Sequence, residues 1–432
     1  MANLLFPLSA HAPEELAATA GKLADWLEDA GADVPLADLA HTLVQGSLLL
    51  RERAVAVASS HEQLVSRLRS LTTLEPGTGT TLGSATTNGE PVWVFSGHGS
   101  QWPGMGRALL RHEPVFAERI GAIEPIMAAE AGFSVRAAIS GEQPVTGVER
   151  VQPALFAMQV ALAETWRAYG PEPAAVIGHS MGEVAAAVVA GALTLAQGVA
   201  VICRRSRLMA RLAGDGAMAM VALPGDAVRA ELDEAGIADV VVAAYSSPVA
   251  CVVAGAPGRV ADLVAGWAAR ELMARAVTVE VASHSPQVAP IIDELTASLA
   301  GLAPAEPAIP CYTTVLDDPR ERARFDAEYW SDNLRRPVRF TGAVSAAIAD
   351  GHALFVEISP HPLLAYPLRE NVTAARRDAV ILSTMRRGGD AALRLRTQLG
   401  ALHCAGARLD WSRLAPPGRR IDPAFPLPLP GF

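Results

Sequence analysis

One stretch of eight residues, Val176–Glu183, limits the fold of this chain more than any other. Residues 174–177 are apolar and predict a buried strand; a Gly-x-Ser-x-Gly turn centred on Ser180 follows, and an Ala- and Val-rich helix begins next. This order is typical of a serine raised above the carboxyl end of a sheet on a sharp turn. The glycines keep a Cβ away from neighbouring backbone, and the helix N-terminus favours a partly negative oxygen. Ser180 is the candidate nucleophile, although short Gly- and Ser-containing patterns also arise by chance.

Composition and charge exclude several classes of partner. The 432 residues, of which 50% are hydrophobic, are enough for two or more domains with buried cores. A net charge of -9 argues against nucleic acid or an anionic membrane as a general partner. No apolar run reaches membrane-spanning length and the first residues lack a signal-peptide pattern, so we expect a cytoplasmic protein.

The residue inventory also limits the chemistry. The four cysteines lie far apart, which favours reduced thiols over disulfides or zinc ligands, so no metal site is expected. Lys22 is the only lysine and lies in an amphipathic segment, which argues against Schiff-base chemistry. Phosphate-binding P-loop and Rossmann patterns are missing from the sequence, so no bound nucleotide cofactor is expected.

The ends of the chain differ from its centre. Residues 1–88 predict a small α/β unit without chemistry of its own, in which the Gly- and Thr-rich segment Glu75–Ser84 is typical of a flexible linker. Residues 386–432 predict one helix, Ala391–Gly406, and then a proline-rich tail. Its four prolines between Ile421 and Pro430 exclude a helix or central strand and indicate an extended strap on another surface.

The centre of the chain predicts a two-part catalytic body. Continuous apolar strands alternate with helices over residues 89–213 and 282–385, which predicts a hydrolase-like α/β subdomain whose parallel sheet is covered on both faces. Residues 214–281 interrupt this order with a βαββαβ pattern, which predicts an inserted ferredoxin-like subdomain. A cleft between the two parts would be the usual place for a ligand.

Three further features are candidates for the chemistry. His284 follows the inserted subdomain, where the chain returns to the cleft, and is the leading candidate base for Ser180. No acid lies in a comparable loop, so a Ser–His dyad oriented by a backbone carbonyl fits better than a triad. Arg205 would be a carboxylate-binding fork if it points inward, whereas its neighbours Arg204 and Arg207 can be solvated surface residues.

An oxyanion hole needs two backbone N–H groups aimed at the developing charge. The amide of Met181 is one candidate, because it follows the nucleophile in the turn. The second is the amide of His98 in the Gly-rich turn after the first strand of the catalytic body. The same turn can equally be a plain strand-to-helix connection.

Six spaced motifs occur in order along the chain. They are Gly97-His98-Gly99-Ser100-Gln101-Trp102, Val151-Gln152-Pro153-Ala154-Leu155, Gly178-His179-Ser180-Met181-Gly182-Glu183, Cys203-Arg204-Arg205-Ser206-Arg207-Leu208-Met209, Val281-Ala282-Ser283-His284-Ser285-Pro286 and Asn333-Leu334-Arg335-Arg336-Pro337-Val338. Together they resemble the acyltransferase domain of modular polyketide synthases, which is related to malonyl-CoA:acyl-carrier-protein transacylases. The likeness covers essentially the whole chain, with residues 1–88 resembling a ketosynthase-to-acyltransferase linker and residues 386–432 a post-acyltransferase linker.

The resemblance implies a role for each of these positions. Ser180 would be acylated, His284 would be its base, the backbone carbonyl of Asn333 would orient His284, and Arg205 would bind the free carboxylate of a malonyl-type group. The amides of His98 and Met181 would form the oxyanion hole, although the family usually has Gln at the position of His98. The residues that would line the substrate pocket are Gln152, His179, Val281 and Ser283.

The resemblance also implies substrates and partners. The acyl group would pass from a CoA thioester to the phosphopantetheine thiol of an acyl carrier protein, with no bound cofactor, in a synthase that also contains a ketosynthase. In family members that use malonyl, the four residues that end at the catalytic histidine tend to be His-Ala-Phe-His. In members that use methylmalonyl, they tend to be Tyr-Ala-Ser-His. Here the four residues are Val281-Ala282-Ser283-His284, so we expect an α-substituted malonyl group, methylmalonyl or larger, with tolerance for several.

Two other functions remain open from the sequence. A serine hydrolase or thioesterase would use the same turn and release the acid to water, but its chemistry does not require Arg205. A non-catalytic docking module of the synthase is the other alternative, although Ser180, His284 and Arg205 are all present.

Overall fold

The strands follow the apolar runs of the sequence. The structure is a computed structural model that describes residues 3–46, 49–87 and 89–421. Its strands are β1 (Leu4–Ala10), β2 (Glu52–Ala58), β3 (Thr80–Ser84), β4 (Val92–Phe95), β5 (Ala175–Gly178), β6 (Ala217–Val221), β7 (Val240–Ser247), β8 (Ala250–Gly255), β9 (Ala274–Val277), β10 (Cys311–Tyr312), β11 (Leu354–Ile358) and β12 (Val380–Ser383).

Hydroxyl and carboxylate caps mark the start of many helices, as Thr194 does in a full capping box and Asp390 does by accepting two backbone N–H bonds. The helices are α1 (Pro13–Glu28), α2 (Leu36–Gly46), α3 (His61–Leu71), α4 (Arg107–His112), α5 (Pro114–Ala131), α6 (Val135–Ser140), α7 (Val148–Tyr169), α8 (Gly182–Val189), α9 (Leu195–Met209), α10 (Gly225–Glu234), α11 (Pro257–Ala269), α12 (Ala289–Ser298), α13 (Ala327–Arg335), α14 (Phe340–Ala349), α15 (Ala365–Ala374), α16 (Ala391–Cys404) and α17 (Trp411–Leu414).

The large subdomain is built on a parallel sheet in the order β10-β5-β4-β11-β12. Alternate residues of its central strands enter different cores. Trp93 and Phe95 pack with the core that contains α5, α7 and α9, whereas Val92 and Val94 pack with α14 and α15. This alternation covers the sheet on both faces, as the continuous apolar strands predict. The predicted parallel α/β subdomain is therefore confirmed.

The inserted subdomain has an antiparallel sheet in the order β7-β8-β6-β9, with two helices, α10 and α11, packed against it. This is the strand order of a ferredoxin-like βαββαβ unit, which confirms that prediction. Met218, Ala243 and Ala254 pack with Ala282, close to the point where the chain re-enters the large subdomain. A bridge between Ala244 and Val338 also ties the two subdomains together.

The N-terminal unit corrects one prediction. Residues 80–84, predicted as part of a flexible linker, form strand β3, which pairs antiparallel with β2 from Ala56↔Thr80 to Glu52↔Ser84. The physical reason is that β2 would otherwise present an unpaired edge. Helix α16, more than 300 residues later, then covers the two strands, and its Gly400 packs against Val55.

The C-terminal segment returns to the N-terminal unit. The backbone N–H of Arg419 donates to Asp38 Oδ1 at 2.8 Å, and that of Ile421 donates to Thr42 Oγ1 at 2.9 Å. The predicted proline-rich strap lies, apart from Ile421, outside the described residues. The domain boundaries at residues 88, 213, 281 and 385 stay a prediction. Among the described residues no helix is both long and apolar enough to span a membrane.

Candidate active site

The turn between β5 and α8 holds Ser180 in a left-handed backbone conformation, with φ of 55°. Its two glycines are required by contact with backbone. A Cβ on Gly178 would lie 2.1 Å from Glu183 Cα, and one on Gly182 would lie 2.3 Å from the carbonyl oxygen of Phe95. Because only glycine fits at both positions, the turn can bring the serine close to strand β4 and to the helix N-terminus.

Ser180 and His284 form a buried pair. Ser180 Oγ lies 2.7 Å from His284 Nε2, and the two residues are 9% and 4% exposed. Burial lowers the pKa of His284 to about 3, and the positive charge of Arg205 acts in the same direction. The imidazole is therefore neutral at physiological pH, the form that accepts a proton.

The imidazole of His284 has a carbonyl partner that was not predicted. Its Nδ1 lies 3.0 Å from the backbone oxygen of Arg336. Backbone hydrogen bonds to Arg336 and, more weakly, to Asn333 act to raise the pKa of the ring against the effect of burial. The physical reason is the end of helix α13 at Arg335, after which the Arg336 carbonyl turns toward the imidazole. The carbonyl of Arg336 is thus an orienting group that the sequence analysis did not name, and the role of the Asn333 carbonyl stays a prediction.

Arg205 points inward, as a carboxylate-binding arginine must. It is 1% exposed on α9, its Nη1 donates to Asn333 Oδ1, and its Nη2 donates to Ser180 Oγ at 3.1 Å. Burial lowers its pKa to about 10, against the opposing charge of Glu183. Its neighbours face the other way, since Arg204 pairs with Glu130 at 2.9 Å and Arg207 donates to the Glu130 carbonyl.

Glu183 is the site residue that sequence reasoning missed. It is 3% exposed and accepts hydrogen bonds from Asn333 Nδ2 at 2.7 Å, Tyr329 Oη at 2.8 Å and the N–H of Thr314 at 3.2 Å. Burial raises the pKa of its carboxyl, and these donors act against that effect. An acidic residue in the first turn of an otherwise apolar helix was the signal that could have identified it.

The two predicted oxyanion donors lie on the turns that follow β4 and β5. Met181 is fully buried at the N-terminus of α8. His98 is half-buried, and it lines a cavity of about 420 Å³ with Gln101, Trp102 and Glu280 among others. Burial lowers the pKa of His98, with Glu280 opposing the shift.

Two of the predicted pocket residues, the buried Gln152 and the half-buried His179, each hold a buried polar atom without a partner among the described residues. Gln152 is 4% exposed, its Nε2 lies 3.8 Å from Met209 Sδ, and its Oε1 has no partner in the described part of the chain. His179 stacks edge-on against Phe340 at 5.7 Å, and its Nδ1 also lacks a described partner. Burial lowers the pKa of His179 to about 4, so its ring is neutral.

The other two predicted pocket residues precede His284. Val281 is 5% exposed and belongs to the core of the large subdomain, and Ser283 is half-buried. The backbone N–H of Ser283 donates to the carbonyl of Val281 at 3.0 Å, which folds the chain tightly just before the histidine. In the described ranges, no cluster of three or more His, Cys, Asp or Glu is arranged to hold a metal ion.

Comparison with known proteins assigns this site to a family. A family model described as an acyl transferase domain matches residues 92–409, and one described as a RhiE-like, KS-MAT linker domain matches residues 7–74. A mycocerosic acid synthase-like polyketide synthase of Mycobacterium tuberculosis is 50% identical over 98% of this chain and 20% of its own length. The chain thus spans about a fifth of the length of the curated relatives it matches.

Solved structures give the same result. The acyltransferase domain from module 8 of the salinomycin polyketide synthase is 37% identical, with a TM-score of 0.91 over 95% of this chain and 98% of that one. The acyltransferase domain of SpnD, solved in complex with 2-(pent-4-yn-1-yl)malonyl, is 30% identical, with a TM-score of 0.83 over 96% and 98% of the two chains. The chain belongs to the acyltransferase domains of polyketide synthases, which are transferases, and carries the linker domain that joins such a domain to a ketosynthase.

Proposed function

We propose that this domain transfers an α-substituted malonyl-type group from CoA to the phosphopantetheine thiol of an acyl carrier protein, through an ester on Ser180. The observation that carries the proposal is the pair of side chains that contact Ser180 Oγ. Ser180 Oγ lies 2.7 Å from His284 Nε2 and 3.1 Å from Arg205 Nη2. A nucleophile, its base and a cation for the substrate carboxylate thus meet at one point.

One base serves both halves of the reaction. In the first half, His284 Nε2 takes the Ser180 proton as Oγ attacks the thioester carbonyl, and the proton then passes to the departing CoA sulfur. In the second half, the carrier thiol gives its proton to the same nitrogen and attacks the ester, and the proton returns to Ser180 Oγ. The carbonyl of Arg336 accepts from Nδ1–H, which keeps Nε2 unprotonated and facing the serine.

The developing oxyanion needs donors in both halves. The amides of Met181 and His98 are the proposed pair, because each lies in the turn that follows one of the two neighbouring strands β5 and β4. A backbone donor does not depend on its side chain, so a histidine in place of the family's glutamine leaves this role intact.

Arg205 selects thioesters that carry a second carboxylate. A guanidinium binds a carboxylate through two parallel hydrogen bonds, and in a partly desolvated cleft this is worth about 2–4 kcal/mol. The buried position of Arg205, with no direct ion pair among the described residues, leaves its charge available to a substrate.

The substituent on the malonyl group is proposed from the residues before the base. Family members that use malonyl tend to have Phe at the position of Ser283, so the serine leaves out a ring beside the acyl group. Val281, where methylmalonyl users tend to have Tyr, makes the site wider still. Met181 is an adaptable apolar side chain beside the nucleophile. The SpnD domain, to which this chain is similar, was solved with an alkynylmalonyl group, which supports acceptance of substituents beyond methyl.

The proposed partners follow from the linker domain. The match of residues 7–74 to a KS-MAT linker supports a ketosynthase as covalent neighbour and a carrier protein of the same synthase as acceptor. The four free, separated cysteines are consistent with the reducing cytoplasm in which we propose that this synthase works.

The test compares two acyl groups and two acceptors. The protein is given malonyl-type CoA or acetyl-CoA, with and without carrier protein, and both the acylated carrier and the free acid are measured. Arg205→Ala should lower transfer of the malonyl-type group by roughly thirty- to a thousandfold and acetyl transfer far less. Arg204→Ala is the matched control, since it removes a cation from the other face of the same helix.

Two results contradict the proposal. Equal losses for the two acyl groups in Arg205→Ala would make Arg205 a structural residue. Release of free acid in preference to carrier acylation, with carrier present, would indicate a serine hydrolase instead.

A further inference from the structure

The mechanism above leaves one buried carboxylate at the site without a role. Glu183 is 3% exposed at the start of α8, one turn of chain from the nucleophile. Among the described residues no ion pair joins it to Arg205. Its oxygens accept instead from Asn333 Nδ2, Tyr329 Oη and the N–H of Thr314. Because these partners donate to it, the carboxyl suits its ionised, acceptor-only form.

Asn333 lies between this carboxylate and the arginine. Its Nδ2 donates to Glu183 Oε2 at 2.7 Å, and its Oδ1 accepts from Arg205 Nη1. A carboxylate can only accept and a guanidinium can only donate, so only one orientation of the amide satisfies both neighbours. Nδ2 also donates to the Ser180 carbonyl, at the longer distance of 3.3 Å. Glu183 is therefore the charged and shorter-range of the two acceptors that keep the NH₂ end of the Asn333 amide turned away from Arg205.

An indirect link has a different consequence from an ion pair. A carboxylate in direct contact would occupy the two-pronged edge of the guanidinium, which a substrate carboxylate needs. With the neutral Asn333 amide between them, Glu183 still offsets the buried charge of Arg205. Meanwhile Nη2 stays directed to Ser180 Oγ, and Nε has no partner within the described residues.

We propose that Glu183 is a positioning residue for carboxylate selection: it holds the amide of Asn333, and through it the guanidinium of Arg205, so that the guanidinium edge faces the acyl group. This inference rests on the function proposed above, in which Arg205 binds the substrate carboxylate. Without the negative charge, the longer bond from Nδ2 to the Ser180 carbonyl is the remaining described restraint on that end of the amide. The amide can then turn so that its NH₂ group faces Arg205, and the two facing donors displace the guanidinium.

The first test uses the isosteric variant Glu183→Gln. We measure kcat and KM for malonyl-type CoA and for acetyl-CoA, together with the thermal midpoint of unfolding. The expected result is a rise in KM for the malonyl-type substrate of about ten- to a hundredfold, the range for a lost partner of a buried charged group, with acetyl transfer within about threefold. Equal changes for both substrates, or no change, would overturn the proposal.

Glu357→Gln is the matched control. Glu357 is also fully buried, and it accepts from the N–H groups of Leu363 and Leu364 and from Ser359 Oγ, none of which contacts Arg205. Loss of this carboxylate should affect stability and leave the ratio between the two substrates unchanged. A ratio that shifts as much as in Glu183→Gln would mean that any buried carboxylate loss has this effect, and the proposal would be wrong.

A second variant separates positioning from packing. In Glu183→Gln combined with Asn333→Asp, the new amide donates to the new carboxylate, which in turn accepts from Arg205. The hydrogen bonds of position 333 to position 183 and to Arg205 are restored, while the one to the Ser180 carbonyl is lost. The protein should therefore regain most of its stability, but a negative charge now lies directly beside the guanidinium. We expect the thermal midpoint to recover and malonyl selection to stay lost; recovery of both together would make Glu183 merely structural.

Wild type and Arg205→Ala, measured in parallel, separate the two proposals. If wild type does not prefer the malonyl-type substrate, or if Arg205→Ala keeps that preference, the proposed function fails and this inference falls with it. If both behave as proposed while Glu183→Gln keeps the wild-type selectivity, only the role of Glu183 is wrong.

Discussion

Ser180 Oγ lies 2.7 Å from His284 Nε2, and both residues adopt the left-handed backbone conformation, with φ of 55° and 61°. Such a conformation costs about 1–3 kcal/mol at a non-glycine residue. Backbone hydrogen bonds hold both in place, from the Glu183 N–H to the Ser180 carbonyl at 3.0 Å and from the His284 N–H to the Leu334 carbonyl at 2.9 Å. The pair is thus fixed by the fold before a substrate binds.

The first prediction concerns pH. The pKa of His284 is lowered to about 3, mainly by burial, so the neutral base persists as the pH falls well below 6.5. We expect the single-turnover rate of Ser180 acylation to show no protonation limb of this histidine between about pH 8 and 5, where an ordinary histidine would titrate. A rate that falls tenfold per pH unit below about 6.5 would contradict the neutral, buried imidazole.

The second prediction concerns the turn that carries the nucleophile. Gly182→Ala should lower the free energy of unfolding by about 3 kcal/mol, because the added Cβ meets fixed backbone rather than a side chain that can move. Gly121→Ala on α5 is the control, since nothing lies within 4 Å of its Cβ and alanine favours the helix. Urea unfolding measures both, and equal stability of the two variants would contradict the steric account.

The turn could be predicted from the sequence because it rests on local sterics. The βαββαβ order of residues 214–281 was likewise predicted from apolar runs and turn residues, and so was the helix Ala391–Gly406, which in the structure ends at Cys404. Strand β3 could not be predicted from the sequence, because it depends on pairing with β2 and on packing against α16, which is distant in sequence.

At the site, too, some groups could be predicted from the sequence and others could not. Ser180, His284 and Arg205 carry recognisable side chains, and the structure places both His284 Nε2 and Arg205 Nη2 within hydrogen-bond distance of Ser180 Oγ. The carbonyl of Arg336 has no sequence signal, since every residue has one and only the end of α13 selects it. Glu183 was overlooked because its partner, Asn333, lies 150 residues away.

The third prediction concerns the return of the C-terminal segment. Arg396 on α16 makes a two-pronged bond with Glu113, at 2.8 and 2.7 Å, and Glu113 is 2% exposed. Arg396→Ala leaves this carboxylate buried without its cation and with the Tyr169 hydroxyl, at 3.2 Å, as its remaining described side-chain donor. The free energy of unfolding should therefore fall by about 3 kcal/mol. Arg413→Ala, which breaks an exposed pair with Asp410, should cost at most about 1 kcal/mol. Similar costs in urea unfolding would show that Arg396 does not anchor α16.

The fourth prediction concerns the substituent. Ser283→Phe should place a ring beside the acyl group and raise the preference for malonyl-CoA over methylmalonyl-CoA by about tenfold, within the range of hydrophobic discrimination for one methylene. Ser283→Ala, which adds no bulk, should leave the ratio unchanged. Competition between the two thioesters measures the ratio. No shift in the phenylalanine variant would show that Ser283 does not border the substituent.

The central claim is that Ser180 carries the acyl group, and intact-mass spectrometry after brief exposure to malonyl-type CoA without carrier tests it most directly. The account predicts one added acyl group on wild type, located by digestion on the peptide that contains Ser180. It predicts no added mass on Ser180→Ala, whose fold is checked by its thermal midpoint. The same mass gain on Ser180→Ala, or a wild-type label on any other residue, would contradict it.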